Sequence, residues 1–239
     1  MDRKSNVITT GIAGFDSIIN GGIPAKSQLL LAGGPGTGKT SLSLQVLYNA
    51  ANNKMPCAFI TLDESAESVL RNFKSTFPSL KDIDVLIQKN MLIIDGQDSA
   101  AKISANTESE TNYSLGNLVS DVEAIIKTID AEFAVVDSLS FLKLMVGTGI
   151  LYSKIVCSLV SNLRRLGVTS ILTTDIPYYS REKIKFPQEI LLFDGLIELY
   201  HLNGEGKEEL AMEVIKLRGQ NHDRKLYSYE ITDSGIRFK

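Results

Sequence analysis

The chain is poor in cysteine, in net charge and in long apolar runs, and each shortage closes a class of function. Two cysteines, Cys57 and Cys157, stand far apart with no Cys/His spacing around them, so no zinc motif exists. They read as buried free thiols of a reducing compartment. No run approaches the ~18 apolar residues of a membrane-spanning helix. The opening MDRKSNVITT lacks the apolar segment of a secretory leader, so a cytoplasmic protein with no membrane partner is expected. A formal charge of −3 provides no general attraction to nucleic acid, and any such partner needs a local patch. Neither a linker-like composition nor an internal repeat divides the chain.

What remains is ordinary globular composition, with 44% hydrophobic and 22% charged residues in 239, enough for one large domain over 1–239. Apolar runs at 27–33, 57–62, 91–95, 133–137 and 169–175 read as strands. Amphipathic patterns at TSLSLQVLYNAA, SAESVLRNFKSTF, near 116–129 and near 151–166 read as helices. The polar stretch 97–114 reads as an exposed insertion or mobile loop. Strand and helix alternate, which implies an α/β fold with a mostly parallel, twisted sheet covered on both faces. Beyond Pro187, runs at 191–202, 209–218 and 225–231 read as antiparallel hairpins, a C-terminal β extension.

Residues 33–40, GGPGTGKT, satisfy G-x-x-x-x-G-K-[ST] after a strand and at the start of a helix. Gly33, Gly36 and Gly38 let the backbone of Gly33, Gly34, Pro35, Gly36, Thr37 and Gly38 curl, so that amide N–H groups turn toward phosphate oxygens. The start of the helix, at Lys39, Thr40 and Ser41, adds its positive end. Lys39 is placed to reach the β- and γ-phosphates of ATP, and the Thr40 hydroxyl to ligate Mg2+. Asp137 emerges at the end of FAVVD, where ligands gather in open α/β sheets, and suits Mg2+ held through water; alone it would read as a turn former. A second acidic element, Asp63 and Glu64 in TLDES, follows the strand at 57–62. Either acid is a candidate catalytic base, and both also suit a helix N-terminus with no chemistry to do. In MEVIKLRG, strand alternation puts Lys216 and Arg218 on one side and Ile215 and Leu217 toward the core. Two adjacent cations suit an anion, but charges also protect an edge strand from aggregation.

The ordered set ITTGIAGFDSIINGGIP, GGPGTGKT, VVDSLS, GVTSILTTD, DGLIEL, KLRGQNH and ITDSGIRF resembles the KaiC-like ATPases, a branch of the RecA superfamily of P-loop NTPases. The branch includes the cyanobacterial clock protein and single-domain archaeal relatives, and the resemblance runs from about Val7 to Phe238. It implies a RecA-like fold and a Mg2+-dependent ATPase. It also implies that Lys216, Arg218 and His222, matching K-x-R-G-x-x-H, reach the nucleotide of a neighbouring protomer in a ring, a hexamer. A Glu-Glu pair is usual in the family where this chain has Asp63 and Glu64. The resemblance therefore makes Asp63 the base, one methylene short, with Glu64 as substitute or slow turnover as the other outcomes. Thr174 and Asp175 become candidates for sensing the γ-phosphate, with a turn-forming Asp as the alternative. One domain here matches two in tandem in the clock protein, so neither clock function nor its autophosphorylated segment is carried over.

The loop IPYYSREKIKFPQ interleaves Tyr178, Tyr179 and Phe186 with Arg181, Lys183 and Lys185, a composition suited to single-stranded DNA. A solvated loop whose tyrosines pack locally, or a contact between protomers, is the alternative, and the acidic net charge and thin patch do not support DNA. Three functions follow: a regulatory ATPase that switches an oligomer, a recombinase paralogue in DNA repair, and an ATP-sensing regulator or autokinase with little hydrolysis.

Overall fold

A segment apolar at every position can be a strand only if both of its faces are covered. The computed structural model, which describes residues 7–96, 111–176, 188–203 and 208–239, meets that condition. Following a small pair, β1 (Val7–Ile8) and β2 (Ile23–Pro24), come β3 (Gln28–Gly33) and β4 (Cys57–Thr61), each buried throughout. With β5 (Met91–Asp95), β6 (Phe133–Asp137), β7 (Thr169–Asp175) and β8 (Gly195–Asn203) they form six parallel strands in the order β8-β3-β7-β6-β4-β5. Beyond β8 the sheet continues antiparallel through β9 (Glu208–Leu217), β10 (Tyr227–Thr232) and β11 (Gly235–Phe238).

Because strand side chains alternate, β4 feeds two cores at once: Phe59 packs into one and Ala58 and Ile60 into the other. The first core lies under α1 (Phe15–Ile18), α2 (Lys39–Asn52), α3 (Ala66–Thr76) and α4 (Ile83–Lys89). The second lies under α5 (Thr111–Ile129), α6 (Leu139–Val146) and α7 (Ile150–Leu166). The side chain of Ser65 sets the start of α3 by accepting the Ser68 N–H at 3.2 Å. Asp16 orders the lead-in by accepting from the N–H groups of Thr10 (2.7 Å) and Gly11 (3.1 Å).

Several expectations are corrected. Helix α5 begins at Thr111, so residues 111–114 are helical and not part of a loop; 97–110 lie outside the described residues. Strand β8 belongs to the parallel sheet, pairing with β3, as well as to the hairpin with β9. Ile215 and Leu217 do not share a core. The β8–β9 register steps between Leu196↔Lys216 and Ile197↔Val214, leaving Ile215 as an extra residue. It packs with the second core, whereas Leu217 packs with the first. Cys57 is buried, and loss of hydration, then the charge of Glu132, pushes its thiol up to about 12. Cys157 is exposed on α7, contrary to its expected burial. Among the described residues no helix is long and apolar enough to cross a membrane.

Parallel topology decides where chemistry collects. The ends of β3, β4, β6 and β7 reach one edge, with Gly33 in register with Asp175 and Thr61 with Asp137.

Candidate nucleotide-binding site

Five residues, Gly34 to Gly38, carry the chain from the end of β3 to the start of α2. Gly38 holds φ at 82°, and a Cβ there would stand 2.9 Å from Ile231 Cδ1, so glycine is required twice over. At Gly33 an added Cβ would stand 2.7 Å from Thr37 Oγ1. The Thr37 hydroxyl turns inward and donates to the Gly34 carbonyl at 2.8 Å. Pro35 and Gly36 form the exposed tip.

Lys39 opens α2 and is buried. Its Nζ donates to the carbonyls of Gly33 (3.1 Å) and Gly34 (3.0 Å) and lies 2.7 Å from Asp175 Oδ1. Next on the helix, Thr40 Oγ1 donates to Asp137 Oδ2 at 2.6 Å, and Ser41 is half-buried beside it. Thr173, which no sequence pattern singled out, donates its hydroxyl to Asp137 Oδ1. Burial holds the Asp137 carboxyl above its ordinary value, although both hydroxyls and Lys39 act the other way. Threonines 173 and 174 alternate faces: the Thr174 hydroxyl lies 3.4 Å from Ser140 Oγ, which accepts the Asp175 N–H at 2.6 Å. Ser140 is a second missed member, and α6, which carries it, had no signal in the sequence pattern.

The two acids of TLDES part company. Glu64 Oε2 accepts from Ser68 Oγ (2.9 Å) and Asn72 Nδ2 (3.0 Å), which ties it to α3 as a helix-start acid. Asp63 stays exposed just beyond the end of β4. Loss of hydration, then the charge of Asp137, with smaller pushes from Glu64 and Asp175, raises its carboxyl to about 6. Its own backbone N–H pulls the other way.

Lys216 and Arg218 lie toward the far end of the sheet. Leu199 of β8 pairs with Gly33 at the phosphate loop, whereas Lys216 pairs with Leu196, three residues or ~10 Å back along the strand. Lys216 Nζ donates to the carbonyls of Ile190 (3.2 Å) and Phe193 (2.7 Å), and Arg218 donates to that of Leu191 (3.3 Å). His222 is buried at 9% exposure and lines a cleft with Ser17, Asn20 and Arg224. The chain's own phosphate loop and these residues are thus not brought together. The loop with Tyr178, Tyr179, Arg181, Lys183, Lys185 and Phe186 lies outside the described residues.

A phosphate loop between a buried strand and a helix, with Asp137 opposite Thr40, on a RecA-like sheet, defines a P-loop NTPase. Residues 8–239 match the family model described as "ATPase: KaiC", and the chain belongs to that family. It is 31% identical over 232 residues to a UPF0273 protein of Aeropyrum pernix, covering 96% of this chain and 92% of that protein. To the circadian clock oscillator protein KaiC of Prochlorococcus marinus it is 30% identical over 237 residues. That match covers 96% of this chain but only 44% of the clock protein. The crystal structure of a KaiC-like protein from Pyrococcus horikoshii superposes with a TM-score of 0.82 at 27% identity, covering 98% of both chains.

Proposed function

We propose that this chain is a single-domain, Mg2+-dependent ATP hydrolase that works as a ring, a hexamer, with nucleotide at its subunit boundaries and hydrolysis switching the assembly. The observation that carries the reading is the 2.6 Å contact of Thr40 with Asp137, two residues of a helix start and a strand end that the fold sets face to face. Magnesium keeps much of its hydration and takes its other ligands from phosphates, so one hydroxyl and one carboxylate are enough from the protein. The bound metal supplies charge neutralisation on the phosphates.

Gly36, Gly38 and the N-terminus of α2 would hold the phosphates, and Lys39 would exchange its carbonyl and Asp175 contacts for phosphate oxygens. Asp63 is the general base. It takes a proton from water as the water oxygen bonds to the γ-phosphorus and the bond to the leaving ADP oxygen breaks. A carboxyl at about 6 is matched to that work near neutral pH. Lys216 and Arg218 serve the nucleotide of the adjacent subunit, and His222 joins them if that nucleotide enters the cleft it lines.

The test is the ATPase rate against protein concentration, with and without single-stranded DNA and with EDTA. Specific activity that rises with concentration and vanishes with EDTA supports the proposal. Full specific activity in a monomer overturns the composite site. Stimulation by DNA would move the reading to a recombinase paralogue, and phosphate transfer to the chain's own Ser or Thr, seen by mass spectrometry, to an autokinase.

A further inference from the structure

A peptide unit is planar and trans, so holding its carbonyl to one side turns the next residue's N–H to the other. In the phosphate loop, two carbonyls are held from outside by side chains that lie beyond the motif. His201 of β8 has Nε2 3.1 Å from the Pro35 carbonyl oxygen. A carbonyl only accepts, so Nε2 carries the proton. Tyr229 of β10 is 2% exposed and donates its hydroxyl to the Thr37 carbonyl. The peptides so gripped are those whose N–H groups belong to Gly36 and Gly38.

The two donors form one structural unit. His201 pairs with Leu210 of β9, and Leu210 pairs with Tyr229, so they occupy a single cross-strand row. Directly paired residues present their side chains on one face, and two strand spacings put the donors ~9–10 Å apart. Tyr229 is itself fixed by aromatic packing: its ring centroid lies 5.4 Å from that of Phe238, which lies 5.4 Å from that of Phe15. The carbonyls of Gly33 and Gly34 have another partner, Lys39 Nζ.

We propose that His201 and Tyr229 are positioning residues of the phosphate loop, gripping the carbonyls of Pro35 and Thr37 so that the amides of Gly36 and Gly38 are aimed for phosphate before it arrives. The proposal rests on the ATP reading of the loop. It gives the C-terminal strands a role at the chain's own loop, because β9 lies between β8 and β10, the two strands that carry the donors.

The experiment measures ATP and ADP affinity by calorimetry, together with the melting temperature of each protein without nucleotide, for wild type, Lys39→Ala, Tyr229→Phe, His201→Leu and His201→Gln. Losing one neutral hydrogen bond should weaken both nucleotides roughly 3- to 10-fold in Tyr229→Phe and His201→Leu. Maximal turnover should change less than affinity does. His201→Gln keeps an N–H donor at the reach of Nε2 and should stay within about twofold of wild type. Unchanged affinity in both Tyr229→Phe and His201→Leu, with only the melting temperature lowered, overturns the proposal. His201 is half-exposed, so its variants decide the matter even if Tyr229→Phe does not fold. If wild type fails to bind ATP, or Lys39→Ala binds it as well as wild type, the ATP reading fails instead.

Discussion

Lys39 Nζ at the start of α2 and Asp175 Oδ1 at the end of β7 stand 2.7 Å apart. Any phosphate that Lys39 serves must share the ammonium with this carboxylate or displace it. The Asp175 side chain is 48% exposed, so the pair is partly screened and holds at the low end of ion-pair strength. Asp175→Asn should therefore tighten ATP binding by roughly two- to fivefold, and ADP binding less, by calorimetry. Weaker ATP binding would show that Asp175 faces the ligand as a required group and does not compete with it.

The two acids of TLDES should separate cleanly by substitution. Asp63→Ala is expected to lower kcat by ~10²-fold or more with ATP affinity kept, as for loss of a general base. Asp63→Glu restores the missing methylene and should raise turnover without changing affinity. Glu64→Ala removes the contacts with Ser68 and Asn72, which should lower stability by about 1 kcal/mol and leave kcat within about twofold. A large fall in kcat for Glu64→Ala alone would reverse the roles.

The raised Asp63 carboxyl also sets a pH dependence. The base works ionised, so kcat/KM, which reports the nucleotide-free protein, should climb as pH rises through about 6 and level off above it. Stability moves the opposite way. The folded value lies above the ordinary value of 3.8, so the folded state holds the proton more tightly and loses stability between about pH 4 and 6. Asp63→Asn should consequently raise the melting temperature at pH 8 and not at pH 4.

The parts of this molecule that were legible in sequence are those whose signal is local. Strands β6 and β7 are apolar runs with sharp ends, so 133–137 and 169–175 were read with their structural limits, and the contiguous motif 33–40 spans the end of β3, the turn 34–38 and the start of α2. Asp137 was found because an acid ending a buried strand is a local pattern. Thr173, Ser140, His201 and Tyr229 were not, because their partners are far along the chain: Tyr229 meets Thr37 only through the placing of β10 beside β9 and β9 beside β8. Ile215 was misplaced because strict alternation cannot foresee a one-residue step in register. Short α4 and α6 were missed because seven or eight residues hardly establish a helical period.

Lys216 and Arg218 provide the sharpest test of the assembly. Their head groups hold the carbonyls of Ile190, Leu191 and Phe193, and the sheet register keeps them from their own phosphate loop. Loss of hydration, then the charge of Arg218, pulls the Lys216 ammonium below its ordinary value, with Asp194 opposing. The carboxylate of Asp194, 3.7 Å from Arg218, offsets only part of the repulsion between the two cations, so they still suit an incoming anion. Arg218→Ala should lower turnover by ~10³-fold or more if the group acts on transferred phosphate, and Lys39→Ala should do so by emptying the loop of its cation. Each inactive variant keeps the half that the other lacks. Mixed and reassembled in equal amounts, they should regain activity at about a quarter of the sites, where an intact loop meets an intact Arg218 across a head-to-tail boundary. If the mixture stays as inactive as its parts while native electrophoresis shows mixed rings, Arg218 acts only within its own chain, on the turn at 188–192.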